Sequence, residues 1–328
     1  MKKITMLLLM AVGLTIGVGP GVAEAAHRPA VIKKHRYAKK HFHARKHFHA
    51  RKYFHARKYF HSKRHFRRTA LQETTRLALK SSAALVMDEA TGAVLFAKNP
   101  GAVLPIASIS KLMTAMVMLD AKPDMNQVLT ITGDDVDKIR HSRSRLLVGT
   151  RLTREDMLHL ALMSSENRAA YALSSNYPGG RPAFVAAMNR KAQELGLTQT
   201  HFDDPTGLTA TDVSSPRDLV KMVIAAQKYP LIHKFTTSAE YEVSVLGHPT
   251  IFHNTNSLVR NSSWDIGLSK TGFINEAGKC LVMQARLNKK PLIIVLLDSY
   301  GRMTRVGDAI RIRRWVESAS VAQRLATG

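Results

Sequence analysis

Beyond residue 80, the spacing of apolar residues predicts strands near both ends of the chain and helices between them. Two apolar runs between Ser82 and Ala97 are joined by Glu89-Ala-Thr-Gly92, a pattern that predicts a β-hairpin. Later apolar runs of strand length predict further strands, over 240–246, 266–273, 280–287 and 291–298.

The middle of the chain carries apolar residues at helical spacing. Those between Leu112 and Leu119 predict a helix from Ser108 to about Leu119. The sequence Thr153-Arg-Glu-Asp156 has the pattern of a capping box and predicts the start of a second helix. Further helices are predicted over 168–175, 181–195, 216–228 and 302–320.

Strands at both ends and helices in the middle predict an α+β fold. The expected architecture is an antiparallel sheet made from the two chain ends and flanked by helices, with a mostly helical insert between the ends. Glycine and proline residues mark no domain boundary inside 73–328. We therefore expect 73–328 to form one domain.

The first 25 residues have the pattern of a secretory signal peptide. Lys2 and Lys3 precede an apolar run to about Val18, and Ala23-Glu24-Ala25 offers a small-x-small cleavage site. The run is too short and too rich in glycine to favour a retained membrane anchor. We expect cleavage after export and a periplasmic location.

Residues 26–72 form a basic, histidine-rich segment, and the net charge of +25 is concentrated there. Between His27 and Arg68 there are 16 Lys or Arg residues, nine of the chain's fifteen histidines and no acidic residue, with a six-residue repeat typified by Lys40-His-Phe-His-Ala-Arg45. Such like-charge density predicts a disordered tether whose partner is an anionic cell-envelope surface. A solvated spacer and weak metal binding by His-x-His pairs remain alternatives, while export argues against nucleic acid.

The single cysteine, Cys280, excludes an intrachain disulfide. It lies in an apolar run of strand length, and we expect a buried, unreactive thiol there. Packing must then supply the stability of the domain.

The sequence Ser108-Ile-Ser-Lys111 places a hydroxyl and an amine three residues apart, on one face near a helix start. The pair offers a nucleophile with its own base, provided that burial or a neighbouring cation lowers the lysine pKa. The motif alone is weakly specific, because a serine at that place also caps helices.

Two further short motifs carry candidate chemistry. Ser165-Glu-Asn167 offers a hydroxyl and an amide between two predicted helices, and Ser174-Ser-Asn176 matches the same pattern. Lys270-Thr-Gly272 ends a predicted strand, where the glycine lets a ligand approach the backbone closely.

In this order, with gaps of about 55 and 105 residues, the three motifs resemble those of the penicillin-recognising serine enzymes. The closer likeness is to the low-molecular-mass D-alanyl-D-alanine peptidases of family S11, and it spans essentially all of 82–320. It also selects Ser165 and Asn167 over the alternative pair. The segments that carry it are Pro105-Ile-Ala-Ser-Ile-Ser-Lys-Leu-Met-Thr-Ala115, Leu162-Met-Ser-Ser-Glu-Asn-Arg-Ala-Ala170 and Phe202-Asp-Asp-Pro-Thr-Gly-Leu208.

The resemblance implies a role for each motif in a reaction through an acyl-enzyme on Ser108. Lys111 would take the proton of Ser108, Ser165 would help to relay it to the leaving amine, and Asn167 would orient the donor peptide. Lys270 and Thr271 would bind a substrate carboxylate beside Gly272, and the backbone N–H groups of Ser108 and Phe273 would form the oxyanion hole. The implied partners are peptidoglycan stem peptides and, as covalent inhibitors, β-lactams. No metal or organic cofactor is implied.

About 55 residues follow Gly272. In this compact form the chain resembles the D-alanyl-D-alanine endopeptidases of the penicillin-binding protein 7 type. A D-alanyl-D-alanine carboxypeptidase is the nearest alternative. A serine β-lactamase needs a deacylating base, and Glu194 comes near the expected pattern but lacks the asparagine that should follow it. A non-catalytic wall-binding protein is disfavoured because the Ser, Lys, Ser, Asn and Lys set is intact.

Overall fold

A computed structural model describes residues 77–301 and 303–327 of the 328-residue chain. The expected signal peptide (1–25) and the basic segment (26–72) lie outside the described residues. In chain order the strands are β1 (Ala83–Asp88), β2 (Val94–Lys98), β3 (Leu104–Pro105), β4 (Val128–Thr130), β5 (Arg151–Thr153), β6 (Val213–Ser214), β7 (Glu240–Val245), β8 (His248–His253), β9 (Asp265–Ile274), β10 (Gly278–Leu287) and β11 (Lys290–Ser299). The helices are α1 (Lys111–Asp120), α2 (Arg154–Met163), α3 (Asn167–Ser175), α4 (Gly180–Glu194), α5 (Pro216–Ala226), α6 (Pro230–Thr237) and α7 (Thr304–Thr327).

The central sheet is antiparallel, with strand order β2-β1-β11-β10-β9. The first two strands come from the beginning of the described chain and the last three from its end, so the predicted α+β fold is confirmed. The insert between β2 and β9 carries helices α1 to α6 and three two-stranded sheets, β3 with β6, β4 with β5, and β7 with β8. The edge strand β9 contacts α6 and the segment Ala107–Ser110, both of which belong to the insert.

Both faces of the central sheet are covered, which explains the unbroken apolar runs in its inner strands. In β11, Ile293 and Val295 belong to the core shared with the insert helices. Their neighbours Leu292 and Ile294 turn to the opposite face, where they pack in a second core with Ile312 of α7. The C-terminal helix thus closes the face of the sheet that the insert leaves open.

Two sequence predictions about helix starts have different outcomes. The capping box at the start of α2 is confirmed, since Thr153 Oγ1 accepts a bond from the Asp156 N–H and the Asp156 carboxylate accepts one from the Thr153 N–H, each at 3.1 Å. The helix expected from Ser108 begins instead at Lys111, and Ser108 lies in a preceding 3-10 turn, Ala107–Ser110. Ala107, the first residue of this turn, has a φ of 49° in the left-handed region, so a regular helix cannot extend back through it.

The strand β8 and the helix α6 were not predicted from the sequence. α6 has eight residues and no side-chain cap, so its only start signal is Pro230 at the first position. β8 contains Pro249 and pairs only with β7, its hairpin partner. The prediction of a buried thiol at Cys280 is confirmed. The residue is buried in β10, and burial raises the pKa of its thiol to about 11.

His159 of α2 is buried among aromatic rings. Its imidazole stacks on Phe235 and Tyr241, with ring centroids 4.3 Å and 3.9 Å away. Nε2 is buried without a hydrogen-bond partner among the described residues. Burial, with a smaller contribution from Lys234, lowers the pKa of His159 to about 4.

We expect the stability of the domain to fall as the pH drops from the ordinary histidine value of 6.5 towards 4. In that window the unfolded chain binds a proton that the folded His159 does not, so the free energy of unfolding decreases by up to about 1 kcal/mol per pH unit. Urea unfolding between pH 7 and 4.5 measures it. In His159→Phe, which keeps a ring but cannot titrate, this slope should flatten, whereas the exposed control His248→Gln should keep the wild-type slope. Equal slopes in the wild type and in His159→Phe would contradict the assignment.

Candidate active site

Ser108 lies in the 3-10 turn directly before the first residue of α1, next to a residue with a left-handed backbone. The preceding Ala107 has a left-handed backbone and is buried, and the Ile106 N–H donates to the Asp212 carbonyl at 3.0 Å. Strain of this kind persists only when the surrounding packing fixes it. Ile109 and Ser110 are buried as well, so Ser108 is the one residue of this turn that is partly exposed. We call the region bounded by this turn, the Ser165 motif and β9 the cleft.

Two glycines allow the backbone to close around Ser108. A Cβ on Gly207 would lie 2.0 Å from the Ala107 carbonyl oxygen, and Gly207 also has a φ of +79°. A Cβ on Gly272 would lie 2.7 Å from the Ile106 carbonyl oxygen and 3.2 Å from the Ser108 nitrogen. The strand β9 therefore packs directly against the turn that carries Ser108. The close approach that Gly272 permits here is that of the protein's own backbone, whereas the sequence predicted that of a ligand.

Lys111 is 1% exposed, and its amine meets three oxygen atoms. Nζ lies 2.8 Å from Ser108 Oγ, 2.7 Å from Asn167 Oδ1 and 2.7 Å from the Thr206 carbonyl. A protonated amine donates to all three. A neutral amine donates to the two that can only accept, Asn167 Oδ1 and the Thr206 carbonyl, and its lone pair is left for the Ser108 hydroxyl. The contacts thus suit an amine that takes a proton from Ser108.

Burial is the main cause that lowers the pKa of Lys111 to about 7, and the carboxylates of Asp204, Glu166, Asp212 and Asp137 limit the fall. Near neutral pH a large fraction of this amine is therefore unprotonated. A base whose pKa matches the working pH is the most effective one.

Thr206, whose carbonyl accepts the hydrogen bond from Lys111, is positioned by the buried carboxylate of Asp204. Asp204 accepts hydrogen bonds from the Thr206 N–H and, at 2.6 Å, from the Thr206 hydroxyl. Its other oxygen accepts a bond from the Tyr171 hydroxyl at 3.1 Å. No role for Asp204 or Tyr171 was predicted, because the chain brings them to Lys111 only through its tertiary fold.

Lys270 of β9 is the second buried lysine. It is 1% exposed, and its Nζ donates to Ser165 Oγ at 2.8 Å and to the Thr271 carbonyl at 3.1 Å. Burial lowers the pKa of Lys270 well below its ordinary value, with help from the nearby Lys111 and Arg305. Ser165 has a left-handed φ of 64°, which turns its hydroxyl towards Lys270 rather than along a helix.

The amide of Asn167 and the carboxylate of Glu166 anchor a neighbouring loop. Asn167 Oδ1 accepts a hydrogen bond from Lys111, and Asn167 Nδ2 donates one to Ser142 Oγ at 3.1 Å. Glu166 accepts a bond from Ser144 Oγ at 2.6 Å, and burial raises its pKa. Both serines belong to residues 137–146, which we call the basic loop.

The alternative pair Ser174 and Asn176 stays outside this cluster. Ser174 Oγ donates to the Tyr171 carbonyl and Asn176 Nδ2 to the Ala172 carbonyl, both within the last turn of α3. They stabilise a helix end.

The end of β9 supplies the remaining predicted residues. Thr271 is buried, and its Oγ1 donates to Thr255 Oγ1 at 2.6 Å. Phe273 is 54% exposed, and the Lys279 amine lies 4.2 Å from its ring centroid. Its backbone follows Gly272 directly, on the stretch that packs against the Ser108 turn.

Arg305 of α7 was not predicted to belong to the site. Its Nη1 donates to the Gly272 carbonyl at 3.0 Å and lies 3.4 Å from the Cys280 carbonyl, and burial lowers its pKa. The guanidinium thus places a positive charge behind the Lys-Thr-Gly strand. Nothing around residue 305 in the sequence signals this contact, which depends on how α7 crosses the sheet.

Comparisons with known proteins agree with this arrangement. Residues 69–301 match the peptidase S11 family, described as D-alanyl-D-alanine carboxypeptidase. The D-alanyl-D-alanine endopeptidases of Pseudomonas aeruginosa and Escherichia coli are 50% and 45% identical to the chain over 246 residues, which are 74% of this chain and 79% of each relative. The crystal structure of the Streptomyces K15 DD-transpeptidase, at 29% identity, superposes with a TM-score of 0.67 over 73% of this chain and 97% of that one.

Replacement of Gly207 by alanine is expected to lower the free energy of unfolding by about 2–4 kcal/mol. The new Cβ would have to displace the Ala107 carbonyl, and the left-handed backbone adds strain of its own. Urea unfolding measures the change. Gly133→Ala is the matched control, since nothing lies within 4 Å of a Cβ at that position. If the two variants lose equal stability, the close approach at Ser108 is not a real constraint.

Proposed function

Since the chain belongs to the S11 family of D-alanyl-D-alanine peptidases, we propose that it is a serine D-alanyl-D-alanine endopeptidase that cleaves peptidoglycan cross-links. The protein is a hydrolase of the serine peptidase type. The observation that carries the proposal is the contact of Ser108 with Lys111, a buried amine whose pKa is about 7. Such a pair activates a serine without a histidine.

In the first step, Ser108 Oγ attacks the carbonyl carbon of the donor D-alanine and passes its proton to Lys111 Nζ. The tetrahedral oxyanion is held by the backbone N–H groups of Ser108 and Phe273. When it collapses, the C–N bond of the cross-link breaks and an ester forms on Ser108. The leaving amine takes up the proton that Lys111 received, relayed by the Ser165 hydroxyl, so Lys111 is again neutral.

In the second step, water attacks the ester and Lys111 takes one of its protons. Collapse of the new intermediate breaks the ester bond, and Ser108 Oγ recovers a proton from Lys111. The acid product is thereby released and the free enzyme is regenerated. One lysine serves as base and acid in turn, which a pKa near 7 permits.

Substrate binding uses the side of the cleft formed by β9. Lys270 and Thr271 bind the carboxylate that lies next to the scissile bond, and Arg305 adds positive charge behind them. Gly272 lets the Ser108 turn pack against the strand beside the bound peptide, and Asn167 orients the donor through its amide. A β-lactam that acylates Ser108 would occupy the same groups, so it would inhibit.

An endopeptidase is favoured over a carboxypeptidase by the relatives. Those with 50% and 45% identity are called endopeptidases, whereas a Bacillus subtilis carboxypeptidase is 32% identical. A β-lactamase is disfavoured, because Glu194 is exposed at the end of α4 and the Glu166 carboxylate is bonded to Ser144.

The purified protein should convert a cross-linked dimer of stem peptides into monomers. It should remove the terminal D-alanine of a monomeric pentapeptide at least about tenfold more slowly, and Ser108→Ala should lower cleavage by about a thousandfold or more. Chromatography of the products measures both. Ser238→Ala, whose hydroxyl bonds only its own helix, is the control and should retain full activity. Loss of D-alanine from the pentapeptide with the dimer intact would identify a carboxypeptidase instead.

We also propose that the protein acts in the periplasm and that residues 27–68 hold it at an anionic envelope surface. The proposal is supported by the charge of that segment and by the signal-peptide pattern before it. Among the described residues, none of the helices has the length and apolar character needed to cross a membrane.

Deletion of residues 27–68 is expected to abolish binding to vesicles that contain anionic phospholipid at moderate salt. Binding of the exported, processed protein should weaken as salt rises, because charge attraction drives it. Vesicle co-sedimentation at two salt concentrations measures this, with neutral vesicles as the control. Equal binding with and without the segment would remove the proposal.

A further inference from the structure

The basic loop is the most positively charged segment among the described residues of the catalytic cleft. Between its first residue, Asp137, and its last, Leu146, the loop contains no other acidic residue and five basic ones. These are Lys138, Arg140, His141, Arg143 and Arg145. The Asp137 carboxylate is turned inwards, where it accepts hydrogen bonds from three backbone N–H groups of the loop at 2.8–2.9 Å. The Asp137 carboxylate therefore fixes the backbone of the loop, while Lys138, Arg143 and Arg145 are exposed.

One end of the loop is fixed to the cleft beside Asn167. Ser142 Oγ accepts a bond from Asn167, and Ser144 Oγ donates to Glu166. Asn167 in turn touches Lys111, so Ser142 is two hydrogen bonds away from the amine that activates Ser108.

Another part of the loop is fixed to the opposite rim of the cleft. The Arg140 guanidinium donates to the Leu208 carbonyl and forms an ion pair with Glu276 at 2.8 Å. Leu208 follows Gly207, and Glu276 lies in the turn between β9 and β10. The loop thus runs along the cleft from the Lys-Thr-Gly strand to the Ser165 motif.

The cations of the loop differ in whether they are already engaged. Lys138 pairs with Asp134, and Arg140 pairs with Glu276. Arg145 donates to the Ile251 carbonyl at 2.8 Å and lies over the Phe252 ring. Arg143 is exposed and has no hydrogen bond or ion pair with any described residue.

The position of Arg143 follows from its neighbours. Ser142 and Ser144 are both bonded to residues of the Ser165 motif. Arg143 lies between these two anchored serines and is exposed, so its guanidinium is accessible to a donor peptide bound beside that motif.

We propose that Arg143 determines substrate specificity by binding a free carboxylate of the acyl-donor stem peptide. The proposal rests on the proposed function, in which Asn167 orients the donor peptide, and Ser142, the neighbour of Arg143, is bonded to Asn167. Stem peptides carry free carboxylates besides the one at the scissile bond, and a guanidinium binds a carboxylate through two parallel hydrogen bonds. Because Arg143 pairs with no acid among the described residues, it meets the substrate without breaking an ion pair there.

The test compares cross-linked dimers whose donor stem has either free or amidated carboxylates, with the scissile bond and the acceptor stem unchanged. For Arg143→Gln we expect kcat/KM to fall about five- to tenfold on the acidic dimer, mainly through KM, and to match the wild type on the amidated dimer. Arg143→Lys should restore part of the loss. Arg190→Gln, which removes an exposed arginine of α4, is the control and should change neither value.

Equal losses on both dimers would mean that Arg143 acts through the fold of the loop, and no loss on the acidic dimer would mean that it does not touch the substrate. Either result overturns the proposal. Acylation of Arg143→Gln by benzylpenicillin should proceed at the wild-type rate, since this inhibitor lacks the donor carboxylates. If the wild type cleaves neither dimer, the proposed function itself fails. A wild type that cleaves both dimers, with an Arg143 variant that behaves like it, refutes only the role of Arg143.

Discussion

The burial of two lysines on facing sides of one cleft is the constraint around which this structure is organised. Lys111 and Lys270 are each 1% exposed, and burial is the main cause that lowers the pKa of both amines. Removing an ammonium group from water is costly, so burial disfavours the charged form of both amines, and their hydrogens are given to oxygen acceptors. The same shift makes the fold less stable at neutral pH than at higher pH, because the unfolded lysines bind protons that the folded ones do not. In return for this loss of stability, the fold keeps an amine with a lowered pKa in contact with Ser108.

The packing around the cleft explains how such a pair can be kept in place. The turn that carries Ser108 is in contact with two backbone segments through Gly207 and Gly272. The first segment positions the Thr206 carbonyl on Lys111, and the second carries Lys270 on the edge strand of the sheet. The sheet is in turn fixed by cores on both of its faces. The reactive groups therefore lie on a turn, a loop and a strand that cannot move independently.

The sequence could predict much of this, because the motifs are local. The hairpin of β1 and β2, the capping box of α2 and the strands of the sheet follow from spacing and turn residues. Ser108 with Lys111, and Ser165 with Asn167, lie within single turns, so their proximity was predictable. What the spacing could not predict are the contacts between distant segments. The bond from Lys111 to the Thr206 carbonyl and the fixing of the basic loop by Ser142 join segments that are far apart in the sequence of the insert. The approach of Arg305 to Gly272 depends on how α7 packs on the sheet.

The most direct test of the central claim is the pH dependence of the rate at which benzylpenicillin acylates the protein. If the neutral form of Lys111 takes the proton of Ser108, the rate should rise with pH and reach half of its maximum near pH 7. Glu166→Gln should move this midpoint to lower pH, because it removes a negative charge that favours protonated Lys111. A rate that does not change between pH 5 and 9 would contradict the account, as would a midpoint at the ordinary lysine value of about 10.5.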